Sequence, residues 1–230
     1  MNQPKWQWDE MKQIGTDFSD LHEVEMYDQR MNSFRDIDAE NHEMLKMLDL
    51  TCGSKILEVG CGTGQFARTA SAAGLDVSAV DVSKIMLDYL KKMAVKENVS
   101  SITMQHAGFL TMDFPSETFD AVVSGAAFHH LPDLWKLPAL QNIYNVLKPG
   151  GKFILRDVVF VLKKGENPST CFEKFINAFN DEIRFGALTH IKQEYSTYDW
   201  ILDGLLSRAG FTTESKSIFD STFIVYLCQK

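Results

Sequence analysis

No two cysteines in this 230-residue chain are spaced as C-x-x-C; Cys52, Cys61, Cys171 and Cys228 stand singly. That pattern argues against a metal knuckle or a disulfide framework, and it predicts reduced thiols in a cytoplasmic setting. No metal site is expected. No apolar run approaches the roughly 18 residues of a membrane span, and Arg156 and Asp157 interrupt the most apolar stretch. Residues 1–10 lack the apolar region of a secretory signal, so export is not expected. Basic charge is not in excess either. The formal net charge is −8, which argues against a nucleic-acid groove or an anionic membrane surface as partner. Internal repeats, low-complexity tracts and a linker between two domains are missing too. A chain this long buries roughly 70% of its unfolded surface. The expectation is one domain over 1–230, with residues 1–50 as an N-terminal cap and 163–196 as an insertion.

What is present is concentrated at residues 55–66. Ile56, Leu57 and Val59 read as a short buried strand, and Gly60, Gly62 and Gly64 follow at once. Phe66, Ala67, Ala70 and Ala73 then recur at helical spacing, and Gly74 ends the helix. A strand, a glycine turn and a helix start form a ligand cradle, because glycine lets the backbone turn tightly and lets a ligand approach it. The spacing is G-x-G-x-G with Gln65 next, not the G-x-G-x-x-G/A of a dinucleotide site, and no Gly-Lys-Ser/Thr follows. An acidic residue is expected about 20 positions on, for ribose hydroxyls. Asp81 ends the next apolar run, 77–80, and stands at that place.

The blocks Glu58-Val-Gly-Cys-Gly-Thr-Gly64 and Val80-Asp81-Val-Ser83 resemble the class I S-adenosylmethionine (SAM)-dependent methyltransferases. The resemblance continues through Phe119-Asp120-Ala-Val-Val-Ser124, Phe128-His-His-Leu131 and Leu147-Lys-Pro-Gly-Gly-Lys-Phe153, five blocks in order. It covers residues 40–160 well and the remainder loosely. It implies an α/β, Rossmann-like fold with a seven-stranded, mostly parallel sheet of order 3-2-1-4-5-7-6. The last strand would run antiparallel, with helices on both faces and a helical cap at the N-terminus. It implies SAM as cofactor and S-adenosylhomocysteine as product. By the same resemblance Gly60, Cys61, Gly62 and Gly64 cradle the methionine end by backbone, Asp81 accepts from the ribose hydroxyls, and Val82 packs against adenine. Glu58 orders the glycine loop. Tyr27-Asp28-Gln-Arg30 resembles a Tyr-Asp element placed over the cofactor; packing of Tyr27 on the first helix is the equal alternative. One departure stands out: relatives commonly carry an acidic residue near position 108, aimed at the adenine amine, and this chain has His106-Ala-Gly-Phe-Leu110 there. The adenine is then expected on backbone N–H groups at Gly108–Phe109 and against the Phe109 ring.

The rest of the chain is read in order. Residues 1–36 are polar with interspersed aromatics, and are expected to fold over the ligand edge as short helices or loop. A helix is expected over 38–50, stopped by Gly53, and another from an Ser83 N-cap with Ile85, Met86, Tyr89, Leu90 and Met93 inward. Residues 98–101 read as a turn, 102–104 as a third strand, 119–124 as a fourth. Ser124 to His130 would face the methyl group and its acceptor, since ligands sit beyond the carboxyl ends of an open parallel sheet. A helix from Pro132–Asp133, a turn at 148–151 and a fifth strand over 152–157 follow, with Arg156 read as pairing with a nearby acid. Phe172, Phe175, Ile176, Phe179 and Ile183 have the spacing of one amphipathic helix. Ser196 to Asp199 reads as a capping box for the next helix, and 211–217 with 222–229 as a hairpin.

Methyl transfer from a sulfonium needs alignment first and a general base only where the acceptor must lose a proton. His129 and His130 are candidates for that base, with a packing or capping role favoured over catalysis. Tyr195 is a rival, with His190 and Glu194. The leading reading is methylation of a small molecule. Methylation of a tRNA or protein, a SAM-binding sensor or partner without transfer, and a nicotinamide oxidoreductase are the alternatives. The acceptor's identity and the oligomeric state are not written in the residues.

Overall fold

A computed structural model describes every residue except 1–3, 16, 17, 19, 100, 101, 220 and 221, and only the backbone of residue 182. Two helices lead: α1 (Leu21–Asn32) and α2 (Ile37–Leu48). Each begins where an aspartate caps it. Asp20 accepts from the His22 N–H, and Asp36 from the Ala39 N–H at 3.0 Å. Then strands and helices alternate: β1 (Lys55–Val59), α3 (Gln65–Ala72), β2 (Asp76–Asp81), α4 (Lys84–Lys96), β3 (Ile102–His106) and β4 (Phe119–Gly125). A single 3-10 turn at Phe128–His130 leads into α5 (Asp133–Val146) and β5 (Leu147–Phe160). The last part holds α6 (Pro168–Asn177), α7 (Asp181–Gln193), β6 (Thr197–Tyr198), α8 (Asp199–Ala209), β7 (Thr212–Phe219) and β8 (Phe223–Gln229).

The strands form one path, β3-β2-β1-β4-β5-β8-β7, with β6 paired to β5 off it. β3, β2, β1, β4 and β5 are parallel, and β8 is antiparallel to both β5 and β7. The path is the expected order once the extra strand is counted, so the correction is to eight strands rather than seven. β6 is a two-residue ladder, Val159↔Thr197 and Phe160↔Tyr198, too short to leave a hydrophobic pattern.

Alternation along the strands splits the core in two. Leu57, Val59, Val122, Phe153 and Leu155 face α5 and α8, meeting Leu140, Ile143, Leu202 and Leu206. Ile56, Ala121, Val123 and Ile154 face the other way, meeting Leu48 of α2, Phe66 and Ala70 of α3 and Leu90 of α4. The connection runs from β1 to β2 on one side while β4 lies on the other. That reversal opens a crevice at the carboxyl ends of β1 and β4.

Other expectations are corrected at element ends. The helix read from 172 to 183 is two helices, because the Asn180 side chain accepts from the Ile183 N–H at 3.1 Å and starts α7 anew. Phe172, Phe175 and Phe179 still share one apolar cluster with Phe160. The capping box at Ser196 does not form. Ser196 Oγ bonds His190 Nε2 at 2.6 Å, Thr197 donates to Asp133 at 3.0 Å, and α8 starts at Asp199, with Tyr198 before it offering no side-chain cap. The helix α2 ends at Leu48, with Asp49 at φ 50°, ahead of Gly53. β5 continues through the turn expected at 148–151 and past Asp157. The expected turn at 98–101 and the hairpin tip both fall partly on residues outside those described. Among the described residues no helix is long and apolar enough to cross a membrane.

Candidate active site

The glycine loop owes its shape to its neighbours. Gly60, Gly62 and Gly64 all have positive φ, at 74°, 51° and 74°, where a side chain is strained. The N–H groups of Gly60 and Cys61 both donate to the Val80 carbonyl, at 2.9 and 3.0 Å. A Cβ on Gly60 would meet the Ala127 methyl, and one on Gly64 would meet the Leu90 side chain. A Cβ on Gly62 would meet nothing within 4 Å, so this glycine alone faces open space. Cys61 is buried, its thiol pushed well up by burial, so it offers the crevice its backbone only.

Asp81, at the end of β2, braces the loop. Its Oδ2 accepts from the Gly62 N–H and its Oδ1 from the Ser83 N–H, each at 2.7 Å. Burial raises its carboxyl, against the pull of those two N–H groups. Each oxygen keeps a second lone pair. Glu58, at the end of β1, is 6% exposed, and its Oε2 has no hydrogen-bond partner. Burial pushes its carboxyl up to about 8, opposed by the Ala67 amide at the start of α3. Two buried carboxyls with spare acceptors, beside an open glycine, suit a ligand bearing hydroxyls and an ammonium group. These residues therefore fit the cofactor implied by the sequence.

The N-terminal residues roof this edge. The Ser83 hydroxyl donates to the Phe18 carbonyl at 2.7 Å, and Thr63 of the glycine loop donates to Asp28 of α1 at 2.6 Å. Asp28's neighbour Tyr27 meets Phe18 edge-on at 5.6 Å, and burial raises its phenol. Trp8 meets Tyr195 edge-on at 6.1 Å. Gly15 packs so closely on the Glu194 side chain that a Cβ would overlap it.

Two expectations for the adenine end are corrected. The Gly108 N–H donates to the Thr111 hydroxyl at 2.9 Å. The Phe109 ring is 5% exposed and packs edge-on against Phe128 at 5.2 Å, inside the core rather than beside the crevice. What reaches this place is Glu10. Its Oε1 accepts from the Leu110 N–H at 2.8 Å and the Thr111 hydroxyl at 2.7 Å. Val82 lies against the same spot, its carbonyl bonded to His106 Nε2 at 2.9 Å.

On the other side of β4 sits a buried charge cluster. Ser124 is 0% exposed, with its hydroxyl unpartnered. His129 Nδ1 bonds Asp157 Oδ1 at 2.5 Å, its backbone N–H donates to Asp157 Oδ2 at 3.1 Å, and its Nε2 lies 3.4 Å from Glu194 Oε2. Burial opposes charge on His129, but Asp157 outweighs it and the net shift is upward. His190 Nδ1 shares the same Glu194 oxygen. Burial would raise Glu194, yet the His190 hydrogen bond and the His129 charge bring it down to about 2. His129 is thus held between two carboxylates that favour its charged form, tying the turn after β4 to β5 and α7. His130 differs. Burial, helped by the His129 charge, brings it down to about 4, so it is neutral near pH 7. Ligating atoms of His129, His130 and Glu194 lie within 4.8 Å of one another, but Glu194 already serves both His129 and His190. Tyr195 is 36% exposed; its N–H donates to the His129 carbonyl at 2.8 Å and its own carbonyl accepts from the buried Lys136 ammonium. Arg156 pairs with Glu40 at 2.5 Å and lies over the Phe223 ring.

Known proteins resemble this chain in sequence and in fold. A family model described as a methyltransferase domain matches residues 57–155. An uncharacterized methyltransferase of Anoxybacillus flavithermus is 26% identical over 205 residues, covering 86% of this chain and 92% of that protein. A demethylmenaquinone methyltransferase from the same organism is 32% identical over 180 residues, covering 75% of this chain and 72% of that protein. The crystal structure of a SAM-dependent methyltransferase from Aquifex aeolicus is similar with a TM-score of 0.64 at 18% identity, covering 91% of this chain and 98% of that one. At that identity the likeness is one of fold.

Proposed function

This chain belongs to the class I SAM-dependent methyltransferases, and from that premise we propose that its methyl acceptor is a small molecule. The observation that carries the proposal is the roof. Trp8 on Tyr195, Gly15 on Glu194 and Phe18 on Ser83 cover the carboxyl edge from above. An edge covered in this way suits an acceptor small enough to pass beneath the roof, whereas a tRNA or a protein segment needs an open approach. The net charge of −8 points the same way. A relative named demethylmenaquinone methyltransferase adds support.

SAM, when bound, supplies an activated methyl group for in-line displacement. The chain's own part is to hold, orient and exclude water. We assign the open face of Gly62, with Gly60, Cys61 and Gly64 shaping the loop, to the methionine end. Asp81 takes the ribose hydroxyls on its free lone pairs. Val82 lies under the base, and the Gly108–Phe109 backbone borders it. Glu58 stays neutral until a cationic ligand favours its ionisation, which lets one side chain serve both an empty and a filled crevice. Tyr27 covers the loop from α1. Ser124 lines the crevice floor between β1 and β5. His129 is assigned to holding the roof's footing rather than to proton transfer, because its Nδ1 and its backbone N–H are both committed to Asp157. His130, neutral near pH 7, is the group that takes a proton where an acceptor must lose one. Tyr195 walls the acceptor side.

The test uses SAM labelled in its methyl group, incubated with the protein and a cell extract split into small-molecule, nucleic-acid and protein fractions. Label in the small-molecule fraction is the expected result. Label in either macromolecular fraction overturns the acceptor assignment. Tight SAM binding with no label in any fraction favours the sensor reading.

A further inference from the structure

The N-terminal segment carries a carboxyl group that the roof alone does not need. Glu10 is 7% exposed, and its Oε2 is buried with no partner among the described residues. Its other oxygen is committed to the Leu110 N–H and the Thr111 hydroxyl, so the carboxyl plane is fixed and Oε2 has a set direction. That oxygen lies 2.5 Å from where a Cβ on Gly108 would stand, and Val82 Cγ1 lies 2.8 Å from the same point. A residue with a side chain at 108 and a glutamate at 10 could not share this space. Burying a carboxyl without a partner for one oxygen is costly. Burial raises the Glu10 carboxyl, against the Thr111 hydrogen bond and nearby backbone N–H groups. No cationic side chain is among the groups that shift it.

The sheet places this oxygen relative to the cofactor. β2 lies between β1 and β3, and Asp81 pairs with His106 across β2 and β3. The glycine loop follows β1, on one side of Asp81. Gly108 follows β3, on the other. A nucleoside with its ribose at Asp81 and its amino-acid tail at the glycine loop must send its base toward Val82 and Gly108. The edge of adenine there carries one exocyclic amine, a donor. Oε2 of Glu10 is an acceptor without a donor.

We propose that Glu10 recognises the adenine 6-amino group through Oε2, and so selects adenine among bases from the N-terminal segment rather than from the strand end. The proposal rests on the cofactor assignment above. It makes the roof part of the cofactor site: the segment that carries Trp8 onto Tyr195 also holds the base.

The test compares two ligands and two proteins by calorimetry. The ligands are S-adenosylhomocysteine and S-inosylhomocysteine, which carries a carbonyl in place of the amine. The wild-type protein is expected to bind the adenosyl compound at least tenfold more tightly, because the carbonyl would set acceptor against acceptor. Glu10→Gln is close in shape. Its amide oxygen keeps the Leu110 and Thr111 bonds and its NH2 group replaces Oε2. It should weaken the adenosyl compound roughly tenfold and strengthen the inosyl one, shrinking or reversing the preference. A preference that is the same in wild type and Glu10→Gln overturns the proposal while leaving the cofactor assignment intact. Equal wild-type affinity for the two ligands overturns it without any variant, so an unstable variant does not shield it. Failure of the wild type to bind either ligand overturns the cofactor assignment and this proposal together.

Discussion

Asp81 is asked to do two things, and one substitution separates them. Its two oxygens accept from the Gly62 and Ser83 N–H groups at 2.7 Å each, which holds the glycine loop to β2 and α4. Its remaining lone pairs are assigned to the ribose. Asp81→Asn keeps the shape but leaves one oxygen only. The amide NH2 must then face either the Gly62 or the Ser83 N–H, donor against donor. An unsatisfied buried N–H costs roughly 1–3 kcal/mol, which for a chain of this length lowers the melting temperature by about 2–4 °C per kcal/mol. Losing the charged acceptor for a hydroxyl costs a further ~1.5–3 kcal/mol in binding, or roughly 10- to 150-fold in affinity. The assay is urea denaturation of the ligand-free protein beside calorimetric titration with S-adenosylhomocysteine, and then with its 2′-deoxy analogue. The wild type should lose affinity for the deoxy analogue, and Asp81→Asn should lose little more. Unchanged affinity in an Asp81→Asn protein that has lost stability would refute the ribose contact and leave only the brace.

The glycine loop gives a contrast between neighbours. Gly64→Ala combines φ +74° with overlap on Leu90 and should cost about 3 kcal/mol of stability, read from the urea midpoint. Gly62→Ala meets nothing within 4 Å, so it should fold with a smaller loss and show its damage in cofactor affinity. Equal stability losses in the two variants would contradict this geometry. Glu58 sets the alkaline side of the stability profile. Burial holds its folded carboxyl at about 8, above its ordinary value of 4.5, so its proton-linked contribution is full below about pH 4.5 and is lost as pH rises through 8. Glu58→Gln should therefore stabilise the ligand-free protein at pH 8 and above, by up to about 5 kcal/mol, while weakening SAM; a flat difference between the two proteins from pH 5 to 9 would refute this. Glu194 sets the acid side. Its carboxyl is lowered toward 2, so its contribution is present above about pH 4.5 and lost as pH falls toward 2, and Glu194→Gln should blunt acid unfolding between those limits. His130→Ala should lower kcat about a hundredfold with S-adenosylhomocysteine affinity kept, if the acceptor must lose a proton; an unchanged kcat removes His130 from the chemistry.

The cradle was legible because its signal is local. Three glycines after a buried strand and an aspartate after the next need only spacing to be placed at one edge, and the sheet puts Gly62 and Asp81 within one hydrogen bond. Arg156 was read as an acid's partner, but Glu40 as that acid was not. The roof's aromatics were visible in composition; their partners were not. Glu10 reaches Leu110 across 100 residues of sequence, and no periodicity carries such a contact. The gap near Gly108 was legible, but the sequence reading filled it with the Gly108–Phe109 backbone and the Phe109 ring and passed over Glu10. Local rules failed where side chains had a competing partner. Ser196 looked like a cap but bonds His190. Phe179 and Ile183 kept a helical spacing across a break, because Asn180 caps a new helix between them. The Phe109 ring went to the core because Phe128, which packs edge-on against it, comes from a different element.

The measurement that bears most directly on the whole account is a crystal structure of the protein with S-adenosylhomocysteine. The account predicts the amino-acid tail over Gly62 and near Glu58, the ribose hydroxyls on Asp81, and the adenine amine on Glu10 beneath the closed N-terminal segment. A ligand bound away from Asp81, or an adenine turned out to solvent with Glu10 still against Gly108, would contradict it.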